Sequence, residues 1–341
     1  AIGDFTAKPK VKDEAASLNV GSIVVTTGFV TREPAGGEYG YGSKGVLTLP
    51  EYKKLLDSSE GPLEYNGRPV KNVAYVYCVG SRDVSGSGNS YCSRYCCTAA
   101  IHASTVAHEL SPSLHQYHLY RDIRTYGKFE LLYERGRHQG AVFLKYDEDA
   151  PPEVEKEDDR LVVNVKDVLT YREEISIPCD LVVLVVAMEP RPNAALNNVL
   201  KIPIGLDGFF KEIHPKLRPV ETVIDGVFIA GTAQAPRSSA ESVASGLAAA
   251  SKSAALLKRG FVELDPLVAT VDPAACTWCE KCAEACPYSA IDKVPDGAAE
   301  KARVNEALCK GCGACVPACP DNAIDVRGYT DQQIRATIDA L

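Results

Sequence analysis

No stretch of this 341-residue sequence is apolar for long enough to cross a bilayer; the longest, Leu181–Met188, has the length of a buried strand. Basic charge is not in excess: 37 Lys and Arg against 45 Asp and Glu leave a net charge of −8. Binding nucleic acid calls for a basic stripe to match phosphates, so that class is set aside. No signal-peptide pattern opens the sequence. Nor does a Met, since the chain starts at Ala1 and its first residues read as the tail of a strand. That start raises the expectation of a larger polypeptide, or a companion chain, that supplies the preceding part.

What the sequence does have is cysteine, 13 in all, and only Cys179 stands apart from a cluster of others. In a secreted mini-protein such a number would suggest disulfides. Here the spacing is that of metal ligands in a chain of ordinary globular composition, which fits a reducing cytoplasm.

Two segments repeat at an interval of 33 residues. One runs Cys276-Thr-Trp-Cys279-Glu-Lys-Cys282-Ala-Glu-Ala-Cys286-Pro287, the other Cys309-Lys-Gly-Cys312-Gly-Ala-Cys315-Val-Pro-Ala-Cys319-Pro320. Both read C-x2-C-x2-C-x3-C-P, the pattern of a bacterial module with two [4Fe–4S] clusters. Three cysteines in such a run wrap one cluster, and the fourth starts a short helix that faces the other. Cluster one is therefore expected on Cys276, Cys279, Cys282 and Cys319, and cluster two on Cys309, Cys312, Cys315 and Cys286. Pro287 and Pro320 turn the chain away after the last ligand. Gly311 and Gly313 let backbone amides come close to the sulfides. Val271/Val304 and Ile291/Ile324 repeat as well, as a pseudo-twofold core requires. The competing reading is zinc, which takes four ligands from paired C-x2-C knuckles and leaves the doubled pattern unexplained.

A second group comprises Cys78, Cys92, Cys96 and Cys97. Lys71–Val79 reads as a strand, Ser93–Leu110 as an alanine-rich helix and His115–Tyr120 as the next strand, which makes a β–α–β unit. A nicotinamide-binding unit would carry G-x-G-x-x-G after its first strand, but Gly80, Gly86 and Gly88 do not keep that spacing. Cysteines occupy the loop and the helix start instead, where a positive helix end favours thiolates. The four suffice for a third [4Fe–4S] cluster. Buried thiols, or a catalytic disulfide between Cys92 and one of the vicinal pair, remain alternatives. Cys179 precedes a buried strand and reads as a core residue.

Three apolar strands, Ser22–Gly28, Leu181–Ala187 and Gly226–Gly231, alternate with helices such as Ala240–Leu257, the mark of a parallel sheet covered on both faces. This order resembles the two-dinucleotide-fold flavoproteins, similar to thioredoxin reductase. The resemblance implies FAD contacts at Thr27, Gly28, Gly231, Thr232, Ala233 and Gln234, with the helix after the last strand directing its positive end toward the diphosphate. Thr232 stands where that family has an Asp on the ribityl chain. The N-terminal G-x-G-x-x-G fingerprint is absent, and so is a C-x-x-C dithiol in the flavin portion.

Taken together, Tyr77–Asp83, Tyr91–Cys97, Asp122–Gly127, Asp207–Val220 with its H-P-K-L-R-P run, Ala230–Gln234 and Gly328–Asp331 closely resemble the C-terminal part of the A subunit of heterodisulfide reductase. The resemblance covers essentially the whole chain. It implies a cluster on Cys78, Cys92, Cys96 and Cys97, hence three [4Fe–4S] clusters, and an FAD that splits electron pairs. One electron would go to a low-potential acceptor such as ferredoxin, the other to a disulfide-reducing partner. Implied partners are the other subunits of a heterodisulfide-reductase-type complex, hydrogenase or formate dehydrogenase subunits, the missing N-terminal flavoprotein half and, as a homodimer, a second copy. Lys216 in the H-P-K-L-R-P run is expected near the flavin ring, stabilising its reduced anion, with a solvated surface lysine as the alternative. His214 is expected to position rather than catalyse, and Arg82 and Arg94 either offset cluster charge or serve the surface.

The expected fold class is α/β: a thioredoxin-reductase-like two-dinucleotide-fold portion lacking its N-terminal FAD half, plus an α+β two-[4Fe–4S] ferredoxin domain. Expected boundaries are 1–65 and 200–264 for the FAD-domain remnant, 66–199 for a nicotinamide-domain-like insert and 265–341 for the ferredoxin domain. The acidic stretch Asp147–Arg160 reads as a solvated connector, and Thr330 as the cap of a closing helix. The expected function is electron transfer between FAD and clusters. A relay without flavin chemistry is the first alternative, and a nicotinamide-dependent disulfide reductase the second.

Overall fold

Apolar residues on both faces of Asn72–Val79 require cover on both sides, and the strand lies at the centre of a five-stranded parallel sheet. The order across this sheet in the computed structural model is Val142–Lys145, His115–Tyr120, Asn72–Val79, Leu181–Val186, Val46–Thr48. The structure describes residues 5–341 except 9, 12–13, 16, 84–85, 87, 158–159, 264–265 and 298. The expected strand tail at residues 1–4 and the expected boundary at 264/265 lie outside the described residues, as does part of the Gly/Ser loop before Cys92.

The chain divides into two compact units, Gly28–Arg191 with Ala235–Glu241, and Ala1–Thr27 with Pro192–Gln234 and Ser242–Leu341. The segment expected as 1–65 is thus split: Val46–Thr48 and the helix Leu49–Asp57 belong to the parallel sheet, where Val46 pairs with Val182.

In the first unit, Val73, Tyr75 and Tyr77 pack on the helices Leu49–Asp57 and Cys96–Leu110, while Ala74, Val76 and Val79 face the opposite core. Every residue of Leu181–Val186 is buried. Full burial of each large side chain there contributes roughly 1.5–3 kcal/mol. Tyr75, His118 and Phe143 lie opposite one another on three adjacent strands and stack, with ring centroids 4.5 and 4.6 Å apart. His118 is hydrogen-bonded at both nitrogens, to the Tyr77 hydroxyl at 2.9 Å and Ser104 Oγ at 3.1 Å. Burial pulls its pKa down to about 3.

The far core is closed by an antiparallel sheet of Glu153–Glu157, Arg160–Asp167 and Glu173–Cys179. This corrects the reading of Asp147–Arg160 as a connector throughout, because Glu153–Glu157 is an edge strand. Its charged residues obscured the strand signal, yet charge is what an edge uses to resist further pairing. Cys179 is buried in this core, as expected of it.

The second unit contains the parallel pair Ile23–Val25 and Val227–Ile229, most of the helix Ser239–Arg259, and the ferredoxin module. Two antiparallel ladders build that module, Ala269–Val271 with Ile324–Val326 and Ile291–Asp296 with Ala299–Val304. Val271 pairs with Ile324 and Val304 with Ile291, so the repeated apolar positions meet as pseudo-twofold partners. Thr330 caps the closing helix Asp331–Asp339 through a capping box with Gln333.

Candidate metal centres

The ferredoxin module brings its eight cysteines together in exchanged sets. Cys286 of the first repeat lines one cavity with Cys309, Cys312 and Cys315 of the second, beside Ala269, Tyr288 and Ile291. Burial first, and then Cys309, Cys286 and Cys312 among its neighbours, push the Cys315 thiol up to about 11. Cys282 is likewise pushed up, by burial first, with Cys279 and Cys319 adding to it. Cys276 shares the same core.

Backbone amides are arranged around these sulfurs with the same symmetry. Ala302 N–H donates to Cys276 Sγ at 3.4 Å and Ala269 N–H to Cys309 Sγ at 3.4 Å. Ala290 and Ala323 donate to Cys286 and Cys319 at 3.3 Å each. Bonds of this kind favour thiolate over thiol and tune a cluster's potential.

The ligand loops need left-handed backbone at matching positions: Trp278 and Gly311 (φ 53° and 61°), Glu280 and Gly313 (68° and 75°), Ser289 and Asn322 (48° each). Gly311 has a second reason to lack a side chain, because a Cβ there would lie 2.1 Å from the Leu267 carbonyl oxygen. At Gly313 no protein atom lies within 4 Å of that position.

The second cysteine group is assembled from three parts of one sheet edge. A register irregularity follows Val76 in the pairing with Leu181–Val186, and Cys78 just beyond it has φ 61°. An irregularity of this kind re-aims a side chain. Cys92 sits on a loop tied to the sheet: Ser93 Oγ bonds Ser81 Oγ at 2.7 Å and accepts from Met188 N at 2.8 Å. Cys96 and Cys97 occupy the first turn of their helix, which begins three residues later than expected because Arg94 has φ 60°.

The vicinal pair is shifted in opposite directions. Cys96 rises, first through its bond to Cys97, then by burial and the nearby Cys97, Cys78 and Cys92. Cys97 falls to about 7, first through its bond from Cys96, with Arg124 and Arg82 helping against burial. The first negative charge of the pair therefore belongs on Cys97. With Gly80 (φ 76°) and Arg82 (φ 58°), the surrounding loop concentrates left-handed backbone, at roughly 1–2 kcal/mol per non-glycine residue.

Arg32 lies across this loop, its Cδ 2.0 Å from where a Gly80 Cβ would be, and its guanidinium grips Glu38 at 2.8 and 3.0 Å. A nucleotide diphosphate would have to approach the backbone where that side chain sits, which counts against nicotinamide binding. No disulfide joins any of the 13 cysteines. Among the described residues, no three His, Cys, Asp or Glu close on a point for a single metal ion. A donor set of four thiols around a cubane is held apart by the inorganic core, and both kinds of group suit that chemistry.

Sequence reasoning passed over Arg121 and Arg124. Arg121 follows His115–Tyr120 at the same sheet edge as Cys78 and lines a cavity with it, along with Tyr39 and Tyr146. The signal was available, since ligands gather at the carboxyl ends of parallel strands.

Of the residues expected at a flavin, Thr27, Gly231, Thr232, Ala233 and Gln234 belong to the second unit, and Gly28 starts the first. Thr27 Oγ1 and Gln234 Oε1 are buried without a hydrogen-bond partner. Such atoms are rare, and these two suit the polar edge of a cofactor. Gln234 Nε2 donates to Glu212 Oε2 and to Pro219 O at 2.7 Å each, which ties it to the H-P-K-L-R-P run. Lys216 is exposed on a turn there, its backbone N–H held by His214 Nδ1 at 3.2 Å. The helix Ser239–Arg259 is capped from within: Glu241 accepts from Ser238 N at 2.8 Å and also pairs with Arg94.

Residues 269–326 match the 4Fe-4S dicluster domain family. The iron-sulfur A subunit of CoB--CoM heterodisulfide reductase from Methanocaldococcus jannaschii is 38% identical over 351 residues, covering 100% of this chain and 53% of that protein. The chain belongs to the family of heterodisulfide reductase A subunits. Another relative in this family is the A subunit of H(2)/formate:CoB-CoM heterodisulfide,ferredoxin reductase from Methanococcus maripaludis, 37% identical over 97% of this chain and 51% of that protein. The chain spans about half the length of these curated relatives. Thioredoxin reductase from T. acidophilum aligns with 72% of this chain and 67% of its own at 15% identity, with a TM-score of 0.45. No helix among the described residues is long and apolar enough to cross a membrane.

Proposed function

We propose that this chain is an electron-transfer subunit of a heterodisulfide-reductase-type complex, passing electrons between FAD and three [4Fe–4S] clusters in flavin-based electron bifurcation. The observation that carries the reading is the shared cavity of Cys286 with Cys309, Cys312 and Cys315. A pair of interlocked thiol sets suits two clusters close enough to exchange electrons, and a lone zinc knuckle needs no such exchange of ligands.

When bound, the clusters supply one-electron chemistry and the flavin couples it to pairs of electrons. The chain's own part is to hold and bias them. Cys276, Cys279, Cys282 and Cys319 would hold cluster one; Cys309, Cys312, Cys315 and Cys286, cluster two; Cys78, Cys92, Cys96 and Cys97, the third. Amides of Ala269, Ala290, Ala302 and Ala323 stabilise sulfur charge. Thr27, Gly28, Gly231, Thr232, Ala233 and Gln234 would meet the flavin, and Lys216 would offset charge on its reduced ring. The partners proposed are the remaining half of the flavoprotein, the other complex subunits including hydrogenase or formate dehydrogenase, ferredoxin, and a second copy of the chain.

Iron, acid-labile sulfide and flavin analysis with electron paramagnetic resonance on one anaerobic sample tests this. About twelve irons per chain, at four per cluster, support three clusters, and about eight reject the third. Clusters without flavin, in the presence of the remaining flavoprotein half, would make the chain a relay. A colourless zinc protein would end the proposal.

A further inference from the structure

We infer that Arg121 sets the reduction potential of the cluster proposed on Cys78, Cys92, Cys96 and Cys97, holding a fixed positive charge beside Cys78. The inference rests on that cluster being present and concerns how the fold biases it.

Parallel neighbours Asn72–Val79 and His115–Tyr120 end at one sheet edge, with Val76 opposite Leu119. Cys78 and Arg121 leave that edge together and line one cavity. The Arg121 guanidinium is locked by backbone: Nη1 donates to Arg82 O at 3.1 Å and Nη2 to Ser81 O at 2.8 Å, both on the loop that follows Cys78. Its buried Nε has no hydrogen-bond partner, so that N–H remains for a sulfur. With those two bonds in place, the guanidinium charge is fixed beside Cys78 in the shared cavity. A charge that favours thiolate over thiol also favours the reduced, more negative cluster over the oxidised one.

Arg121 also has a counter-ion, since Nη1 lies 2.6 Å from Glu148 Oε1. The two charges do not cancel. The Arg121 side chain is 10% exposed and that of Glu148 is 44% exposed, so solvent screens the carboxylate far more. The other nearby cations are weaker candidates. Each is also paired with a carboxylate but is more open to solvent than Arg121: the Arg82 side chain is 22% exposed, Arg94 43% and Arg124 45%.

The test is an anaerobic redox titration of the cluster-loaded full chain, followed by electron paramagnetic resonance, with Arg121→Met, Arg121→Gln and Arg121→Lys. Removing the charge is expected to lower the reduced-to-oxidised ratio of one cluster about tenfold at fixed ambient potential, about 59 mV for a one-electron couple. The signals of the two ferredoxin-module clusters should stay in place, and Arg121→Lys should restore most of the shift. An unmoved potential in loaded Arg121→Met or Arg121→Gln overturns the inference and leaves the third cluster standing. Loss of that cluster from both neutral variants would assign Arg121 to holding the loop and overturn it as well. About eight irons in the unmutated chain would sink the cluster itself, a separate result.

Discussion

Replacing Gly311 by alanine should damage the ferredoxin module far more than the same change at Gly313. Both glycines have left-handed backbone, at φ 61° and 75°. Alanine there costs roughly 1–2 kcal/mol at either position. At Gly313 no protein atom lies within 4 Å of the new methyl group, so the polypeptide itself adds no further cost there. At Gly311 it would lie 2.1 Å from the Leu267 carbonyl oxygen, and backbone cannot swing aside as a flexible side chain can. Overpacking of this kind adds roughly 1–3 kcal/mol, for a total of about 2–5 kcal/mol. Moving Leu267 also disturbs Ala269, whose N–H donates to Cys309 Sγ at 3.4 Å. Cluster two should therefore become labile while cluster one keeps its ligands. The assay is anaerobic guanidinium titration of the loaded chain, following cluster absorbance, with iron counted after mild chelation. Equal denaturation midpoints for Gly311→Ala and Gly313→Ala would show that the carbonyl gives way freely, and the reasoning from backbone contact would fail.

Cys78→Ser should lower bound iron by about four atoms per chain and leave the ferredoxin-module signals intact; an unchanged iron count excludes Cys78 as a ligand. Because burial holds His118 neutral to about pH 3, against an ordinary value of 6.5, only the unfolded chain gains that proton as pH falls between those values. Stability should then drop by about 1.4 kcal/mol per pH unit below about 6.5, with no such contribution above it, and denaturation of His118→Gln at pH 7 and pH 5 should show a shallower loss than the parent. Lys216→Ala should lower the flavin potential in a preparation containing the remaining flavoprotein half; an unmoved potential returns Lys216 to the role of a solvated surface residue.

How much of the fold could be read from the sequence depended on how local its causes were. Leu181–Val186 was legible because burial on both faces of a parallel sheet leaves no polar residue in the run. Thr330 as a cap was legible from four consecutive positions, Thr330 to Gln333. Glu153–Glu157 was not, because its pairing with Arg160–Asp167 uses backbone while its side chains read as a charged connector. The placement of Val46–Thr48 was also hidden, since its partner Val182–Leu184 lies far along the chain and short strands carry no record of which sheet they join.

The two kinds of cysteine site differ in the same way. In the ferredoxin module each ligand loop is a short turn, so spacing alone suggested the exchanged sets, and the structure adds that Trp278 and Glu280 hold the left-handed backbone that the second repeat gives to glycine. The other group draws on a strand end, a tethered loop and a helix start, joined by Ser81, Ser93 and Met188. Its ligand candidates were visible as cysteines, but its electrostatics were not. Arg82 and Arg94 flank cysteines in sequence but are more exposed, whereas the more deeply buried Arg121 is 43 positions beyond Cys78 and arrives beside it only through the parallel pairing of neighbouring strands. A reader of the sequence weighs cations by their distance along the chain; the field at Cys78 depends on which of them the fold buries.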